Sequence, residues 1–73
     1  MTAAMCLAIP GKVLSVEGIA GEVDFMGTRR RVRLDLVDAR VGDWVIVHVG
    51  TAIEVIDEQS AKETIKLFED YLL

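Results

Sequence analysis

Turn-forming residues divide the chain into short segments, and this division limits its possible folds more than any other feature. The turn signals are Gly18 with Gly21, then Gly27, Gly42 and Gly50; glycine reaches the positive φ of a tight turn without steric cost. These turns leave room for five short strands in tandem, at intervals of about ten residues, and this pattern is typical of small barrels and sandwiches. This part of the chain is therefore predicted to be a small barrel or sandwich.

Five segments between these turns are predicted to be strands, covering residues 12–17, 22–25, 31–36, 44–49 and 51–56. The third alternates polar and apolar side chains most regularly, which predicts that Val32, Leu34 and Leu36 point inward. The fourth is apolar on both faces apart from His48. It is therefore predicted to be a central strand.

The C-terminal segment has a different period. Its apolar residues recur at intervals of four, three and four, namely Ala61, Ile65, Phe68 and Leu72. This spacing places them on one face of a helix. Asp57 and Ser60 are both suitable N-caps, and no glycine or proline interrupts the run. A helix over residues 58–72 is predicted.

The charge distribution argues against nucleic acid as a partner. The net charge of −4 comes from 8 basic and 12 acidic residues, and the acidic excess lies entirely in residues 54–73. An acidic chain repels nucleic acid unless a local basic patch overcomes the repulsion. The only basic run, from Arg29 to Arg33, is interpreted as a solvated strand edge, because four aromatic residues supply no stacking platform for bases.

The sequence predicts a cytoplasmic protein without a membrane partner. No apolar run approaches the roughly 20 residues needed to span a bilayer. The N-terminus has no basic region followed by a long apolar stretch, as a secretory signal would. Cys6 is the only cysteine, which excludes an internal disulfide and fits a reducing compartment.

Cys6 is the first candidate for chemistry. Most free cysteines are small buried residues, but this one lies near a chain end, where burial is least assured. Pro10 and Gly11 are predicted to form a turn, so that the segment ahead of them projects from the barrel. An exposed thiolate is a nucleophile and a soft metal ligand.

His48 is the second candidate and the only histidine. On an apolar strand a lone histidine is more often a hydrogen-bonded core residue than a ligand. Strand alternation places it on the same face as Trp44 and Ile46. From the residues alone, both interpretations stay open.

No catalytic motif accompanies these two residues. The chain has no phosphate-binding glycine loop, no recognisable pair of catalytic carboxylates and no nucleophile elbow. Cys6 and His48 could form a nucleophile–base pair, but a barrel this small leaves little room for a substrate pocket. The protein is therefore predicted not to be an enzyme.

Two motifs carry a resemblance to a known family: residues 5–13, MCLAIPGKV, and residues 41–50, VGDWVIVHVG. The first resembles the N-terminal Met-Cys-aliphatic-small-aliphatic-Pro-Gly signature of the HypC/HupF hydrogenase-maturation chaperones. The second resembles the VGxWVLVHVG strand of the same family. The resemblance covers nearly the whole chain from Met5 onward.

The resemblance implies an all-β fold, a small five-stranded OB-like β-barrel with one C-terminal α-helix. It places the barrel at residues 6–57 and the helix at 58–72, within a single domain over 6–73. It further implies a NiFe-hydrogenase maturation chaperone that binds a HypD-type iron–sulfur protein. Such a chaperone carries iron transiently, as an Fe(CN)2CO moiety, to the hydrogenase large-subunit precursor.

The resemblance also assigns site residues. The family's cysteine and strand histidine correspond to Cys6 and His48, which are the candidate iron ligands. The expected partner-binding segment consists of Cys6, Leu7, Ile9, Pro10 and Gly11. The alternative to a metal-carrying chaperone is a small OB-like interaction or nucleic-acid-binding module with no metal role.

The N-terminus departs from the family pattern, in which the cysteine directly follows the initiator methionine. Residues 1–5 precede Cys6 here, and they are expected to be either a disordered extension or an artefact of the start site. Translation from Met5, followed by loss of that initiator methionine, would leave Cys6 with a free amine beside its thiolate. A retained extension would remove this free amine and leave the thiolate as the only metal donor of Cys6.

Overall fold

The computed structural model of the protein describes residues 9–72. Its elements are β1 (Pro10–Val13), β2 (Ala20–Phe25), β3 (Thr28–Arg33), β4 (Trp44–His48), β5 (Thr51–Ile56) and α1 (Glu58–Leu72). The prediction of five strands followed by one C-terminal helix is confirmed. Within these residues no helix is long and apolar enough to cross a membrane.

The five strands form a closed barrel in the order β1-β2-β3-β5-β4, because β4 pairs with β1. All pairings are antiparallel except that of β3 with β5. This parallel pairing has a single pair of partners, Arg33 and Thr51, beside which the Arg33 N–H donates a hydrogen bond to the Gly50 carbonyl at 2.9 Å. The barrel is therefore closed by its shortest pairing between β3 and β5.

Small aliphatic side chains fill the barrel interior. The buried core consists of Val13, Val23, Val32, Leu34, Val45 and Ala52. Complete burial of a valine or leucine side chain contributes about 1.5–3 kcal/mol. The strand predicted to be central, β4, pairs with β1 and β5, as every strand of a closed barrel has two neighbours. Val45 on its inner face is completely buried, whereas Trp44 and Ile46 on its outer face are only partly buried.

The prediction that Leu36 points inward is wrong. β3 ends at Arg33, and although Leu34 is buried, Leu36 is 67% exposed in the turn that follows. Arg33 already pairs with Ala20, the first residue of β2. One further hydrogen bond, from the Leu34 N–H to the Ile19 carbonyl at 2.7 Å, ends the pairing, even though the alternating pattern continues.

The predicted turn at Pro10 and Gly11 is also wrong, because both residues lie buried in β1. Pro10 is the first residue of the strand, a position where its missing N–H is tolerated. A Cβ on Gly11 would lie 2.6 Å from Cε1 of Phe25 and still closer to Val23. Glycine is required here by the close approach of other side chains and not by a turn.

The first hairpin turn differs from its prediction as well. Gly18 lies in it with a φ of +65°, but Gly21 lies in β2 and is buried. A Cβ on Gly21 would collide with the carbonyl oxygen of Ser15. β1 ends at Val13, earlier than predicted.

The helix begins next to one of the two predicted caps. The Asp57 carboxylate accepts a hydrogen bond from the backbone N–H of Ser60 at 2.7 Å, which is the geometry of an N-cap. This bond holds the pKa of Asp57 below its ordinary value of 3.8. The helix contacts β1, and Ala61 in its first turns is completely buried.

Candidate functional site

The structure describes some of the predicted site residues and not others. Cys6 and Leu7 lie outside the described residues, so their roles stay predictions. Ile9 is half-buried, and Pro10 and Gly11 are buried in β1. These two residues pack the barrel wall, and their role in partner binding stays a prediction.

His48 is the last residue of β4, and its side chain is exposed. Its partner across the β4–β5 hairpin is Thr51. Trp44 and Ile46, which share its face by alternation, are only partly buried, whereas Val45 on the opposite face is completely buried. His48 therefore lies on the outer surface of the barrel. This removes the alternative of a buried core histidine and leaves the imidazole accessible to a ligand.

The start of β1 lies at the same end of the barrel as His48. β1 and β4 are antiparallel, with Pro10 opposite Ile46. His48 follows Ile46 by two residues in β4, and Ile9 directly precedes β1. The chain thus enters the barrel beside the end of β4 that presents the histidine.

Two residues, Val49 and Gly50, connect β4 to β5. Their φ angles are +52° and +76°, and positive φ at both central residues is what a type I′ hairpin turn requires. Asparagine or glycine is usual at the first position, whereas a β-branched residue at positive φ is a genuine outlier. The Val49 side chain is 88% exposed.

This turn differs from its prediction. Val49 was predicted as the last residue of the fourth strand, with Gly50 alone between the strands, whereas in the structure β4 ends at His48 and both residues form the turn. A two-residue connection selects a turn with positive φ at its first position.

A bulge in β5 lies close to this turn. Glu54 is opposite Ile46, and Ala52 is opposite the next residue of β4, so that Ile53 has no partner. Ile53 is 52% exposed. Bulges redirect side chains and are common beside functional sites. Ile53 therefore adds exposed apolar surface to that of Val49 on the same hairpin.

The described residues contain no ready-made metal cluster. Among residues 9–72, no three histidine, cysteine, aspartate or glutamate side chains are grouped so that they could hold a metal ion. His48 can supply one donor on this surface. A metal held there would need its other ligands from elsewhere.

The arginine run of β3 is exposed, as interpreted from the sequence. Arg31 forms an ion pair with Glu17 at 3.3 Å, and Arg33 forms one with Asp35 at 2.7 Å. The hydrogen bond from Arg33 lowers the pKa of Asp35. Neighbouring carboxylates thus offset part of the positive charge, which favours a solvated strand edge over a nucleic-acid site.

A hollow of about 370 Å³ lies along α1. Its lining comes from the helix alone: Glu58, Gln59, Lys62, Glu63 and Lys66. Lys62 pairs with Glu58 at 2.9 Å within this lining. The hollow is an open surface groove, and it does not include His48.

The fold and the site together define a small β-barrel protein that presents an accessible histidine beside an apolar turn. The HupF/HypC family model matches residues 5–68. The chain therefore belongs to the HupF/HypC family.

Similar proteins are named Hydrogenase maturation factor HypC. The chain is 47% identical over 68 residues to the one from Cupriavidus necator, covering 90% of this chain and 76% of that protein. It is 42% identical over 71 residues to the one from Helicobacter hepaticus, covering 93% and 83%. It is 38% identical over 73 residues to the one from Escherichia coli strain K12, covering 90% and 81%.

Proposed function

We propose that this protein is a NiFe-hydrogenase maturation chaperone. It binds a HypD-type iron–sulfur protein and carries the Fe(CN)2CO moiety to the hydrogenase large-subunit precursor. The observation that carries the proposal is the family match over residues 5–68, with relatives named as hydrogenase maturation factors. The match spans both Cys6 and His48.

The OB-like description of the barrel belongs to the same proposal. OB-folds are five-stranded Greek-key barrels. The strand order β1-β2-β3-β5-β4, with one parallel pairing between β3 and β5, supports it.

The geometry of the described residues suits two donors at one end of the barrel. His48 is exposed at the end of β4, and Ile9, directly before β1, lies at the same end of the barrel. Cys6 precedes Ile9 by three residues, and three extended residues span at most about 11 Å. A short tether of this length allows the Cys6 thiolate and the His48 imidazole to act on one iron centre.

The chemistry of the cargo fits so small a donor set. Cyanide and carbon monoxide occupy coordination positions on the iron, so a carrier supplies only the remaining ligands. A low-spin iron that bears them accepts a soft thiolate sulfur, and imidazole is a suitable second ligand. His48 could instead donate a hydrogen bond to a cyanide nitrogen. In either role the protein carries the iron moiety in the cytoplasm and does not make or break the bonds of its cyanide and carbon monoxide ligands.

The test is to purify the protein together with its HypD-type partner and to measure bound iron and the infrared bands of cyanide and carbon monoxide. Wild type is expected to show both. Cys6→Ala is expected to lose them because the thiolate is the principal ligand, and His48→Ala is expected to weaken them. Lys66→Ala, an exposed change on α1, is the control. Undiminished iron and bands in Cys6→Ala would contradict the ligand role.

The mass of the protein isolated from its native source tests whether the α-amine of Cys6 is free to act as a ligand beside the thiolate. A chain that begins at Cys6 has a free α-amine, which can chelate the iron together with the thiolate. A chain that retains residues 1–5 has an amide at that nitrogen. In that case the proposal keeps the thiolate and loses the amine.

A further inference from the structure

Val49 occupies a backbone conformation that its residue type disfavours. Its φ is +52°, and a branched Cβ makes this region costly. Asparagine or glycine would make the same type I′ turn at lower cost. The β2–β3 turn places Met26 at a φ of +56°, but methionine is not branched at Cβ.

Packing within the protein does not repay this cost. The Val49 side chain is 88% exposed, more than any other large hydrophobic residue described. The hydrogen bond from the Arg33 N–H to the Gly50 carbonyl holds the turn in place. That bond involves only backbone atoms, so it explains the conformation and not the choice of valine.

The hairpin segment around Val49 is uncharged, although the exposed Arg33 of β3 pairs with β5 beside the turn. Residues 44–53, WVIVHVGTAI, contain no lysine, arginine, aspartate or glutamate, although 27% of the chain is charged. Ile53, at the bulge, is 52% exposed, and His48 adjoins the turn. Charged residues are depleted from the centre of protein interfaces, where exposed apolar anchors enter pockets of the partner.

We infer that Val49 is a binding residue whose side chain enters an apolar pocket on the iron–sulfur partner, next to the cargo at His48. This inference rests on the proposed function, because that partner must reach the end of the barrel where the iron is held. The strain at Val49 is then retained for binding, as backbone strain at functional sites commonly is.

The inference predicts opposite effects of one substitution. Val49→Asn relieves the backbone strain, so the melting temperature of the free protein is expected to rise by several degrees. The same change removes the apolar side chain, so the affinity for the HypD-type partner is expected to fall at least about tenfold. Val49→Leu keeps an apolar side chain without the branched Cβ, and its affinity is expected to stay within about threefold of wild type.

The chain offers a matched control at Val41, which is also followed by glycine and is 64% exposed. Val41 precedes β4, whereas Val49 follows it, so they lie at opposite ends of the strand. Val41 does not have a positive φ. Val41→Asn is therefore not expected to raise the melting temperature. Its affinity for the partner is expected to stay within about twofold of wild type.

The experiment measures melting temperature by circular dichroism and affinity by calorimetry with the purified HypD-type partner. A lower melting temperature for Val49→Asn would overturn the claim of strain, and an unchanged affinity would overturn the claim of a binding residue. Loss of binding to the large-subunit precursor alone would overturn the choice of partner. If wild type itself fails to bind the HypD-type protein, the proposed function fails instead.

Discussion

At Gly11 the barrel wall has no room for a side chain. A methyl group there would press against Val23 and Phe25, which pack in the core. Overpacking of this kind costs about 1–3 kcal/mol, so Gly11→Ala is expected to lower the midpoint of urea unfolding.

The control for Gly11→Ala is Lys12→Ala, at the exposed neighbouring position in β1. This change is expected to alter the free energy of unfolding by no more than about 0.5 kcal/mol. Equal midpoints for Gly11→Ala and wild type would contradict the close approach of Val23 and Phe25.

The same residue shows where sequence reasoning fails at the residue scale. A Pro-Gly pair is a common turn signal, and it predicted a turn at Pro10 and Gly11. The need for glycine comes instead from Phe25, which is distant in sequence and whose approach no local pattern reveals. The exposure of His48 was equally hidden, because an apolar run indicates a central strand without showing where that strand leaves the barrel.

At the scale of elements, the start of α1 depends on one side chain. Asp57→Ala removes the acceptor for the Ser60 N–H, so helix content and melting temperature are both expected to fall. Asp57→Asn keeps an acceptor and is expected to lie close to wild type. Circular dichroism at 222 nm and neutral pH measures both variants. Equal helix content in all three proteins would show that the cap is unimportant.

The cap also predicts a pH dependence. Its hydrogen bond lowers the folded-state pKa of Asp57 below the ordinary value of 3.8. The added stability is therefore present above that ordinary value and is lost as the pH falls through the lower folded-state pKa. Asparagine at position 57 does not titrate. As the pH falls, the melting temperature of wild type is therefore expected to decrease relative to that of Asp57→Asn. A difference that is constant with pH would contradict this.

The strands show what alternation predicts and what it does not. It correctly predicted a strand at residues 22–25, which lies within β2. All four residues pair with β3, so the alternation there corresponds to the two faces of a real strand. It failed at Leu36, where the pattern outlasts the pairing. It also could not indicate the bulge at Ile53, because a bulge depends on the register between β4 and β5.

At the scale of the whole molecule, the shortest strand pairing of the barrel, between β3 and β5, adjoins the proposed binding turn at Val49 and Gly50. β3 and β5 share only the partners Arg33 and Thr51. The carbonyl that bonds the Arg33 N–H belongs to Gly50, next to Val49. Segments that bind partners are commonly drawn from the least stable parts of a fold. A partner seated on the turn would therefore also support the closure of the barrel.

Hydrogen exchange tests this connection. In the free protein the amide of Arg33 is expected to have a lower protection factor than those of Val23 and Val45, because the β3–β5 pairing opens without disturbing the longer ones. Adding the HypD-type partner is expected to raise the protection of Arg33 more than that of Val23. The measurement is residue-resolved hydrogen exchange by NMR. The Val49→Asn protein, which is expected to bind the partner weakly, is the control for the effect of the partner. If Arg33 is as protected as Val45 in the free protein, then the β3–β5 pairing is not the weak point of the barrel, and its coupling to the turn is excluded.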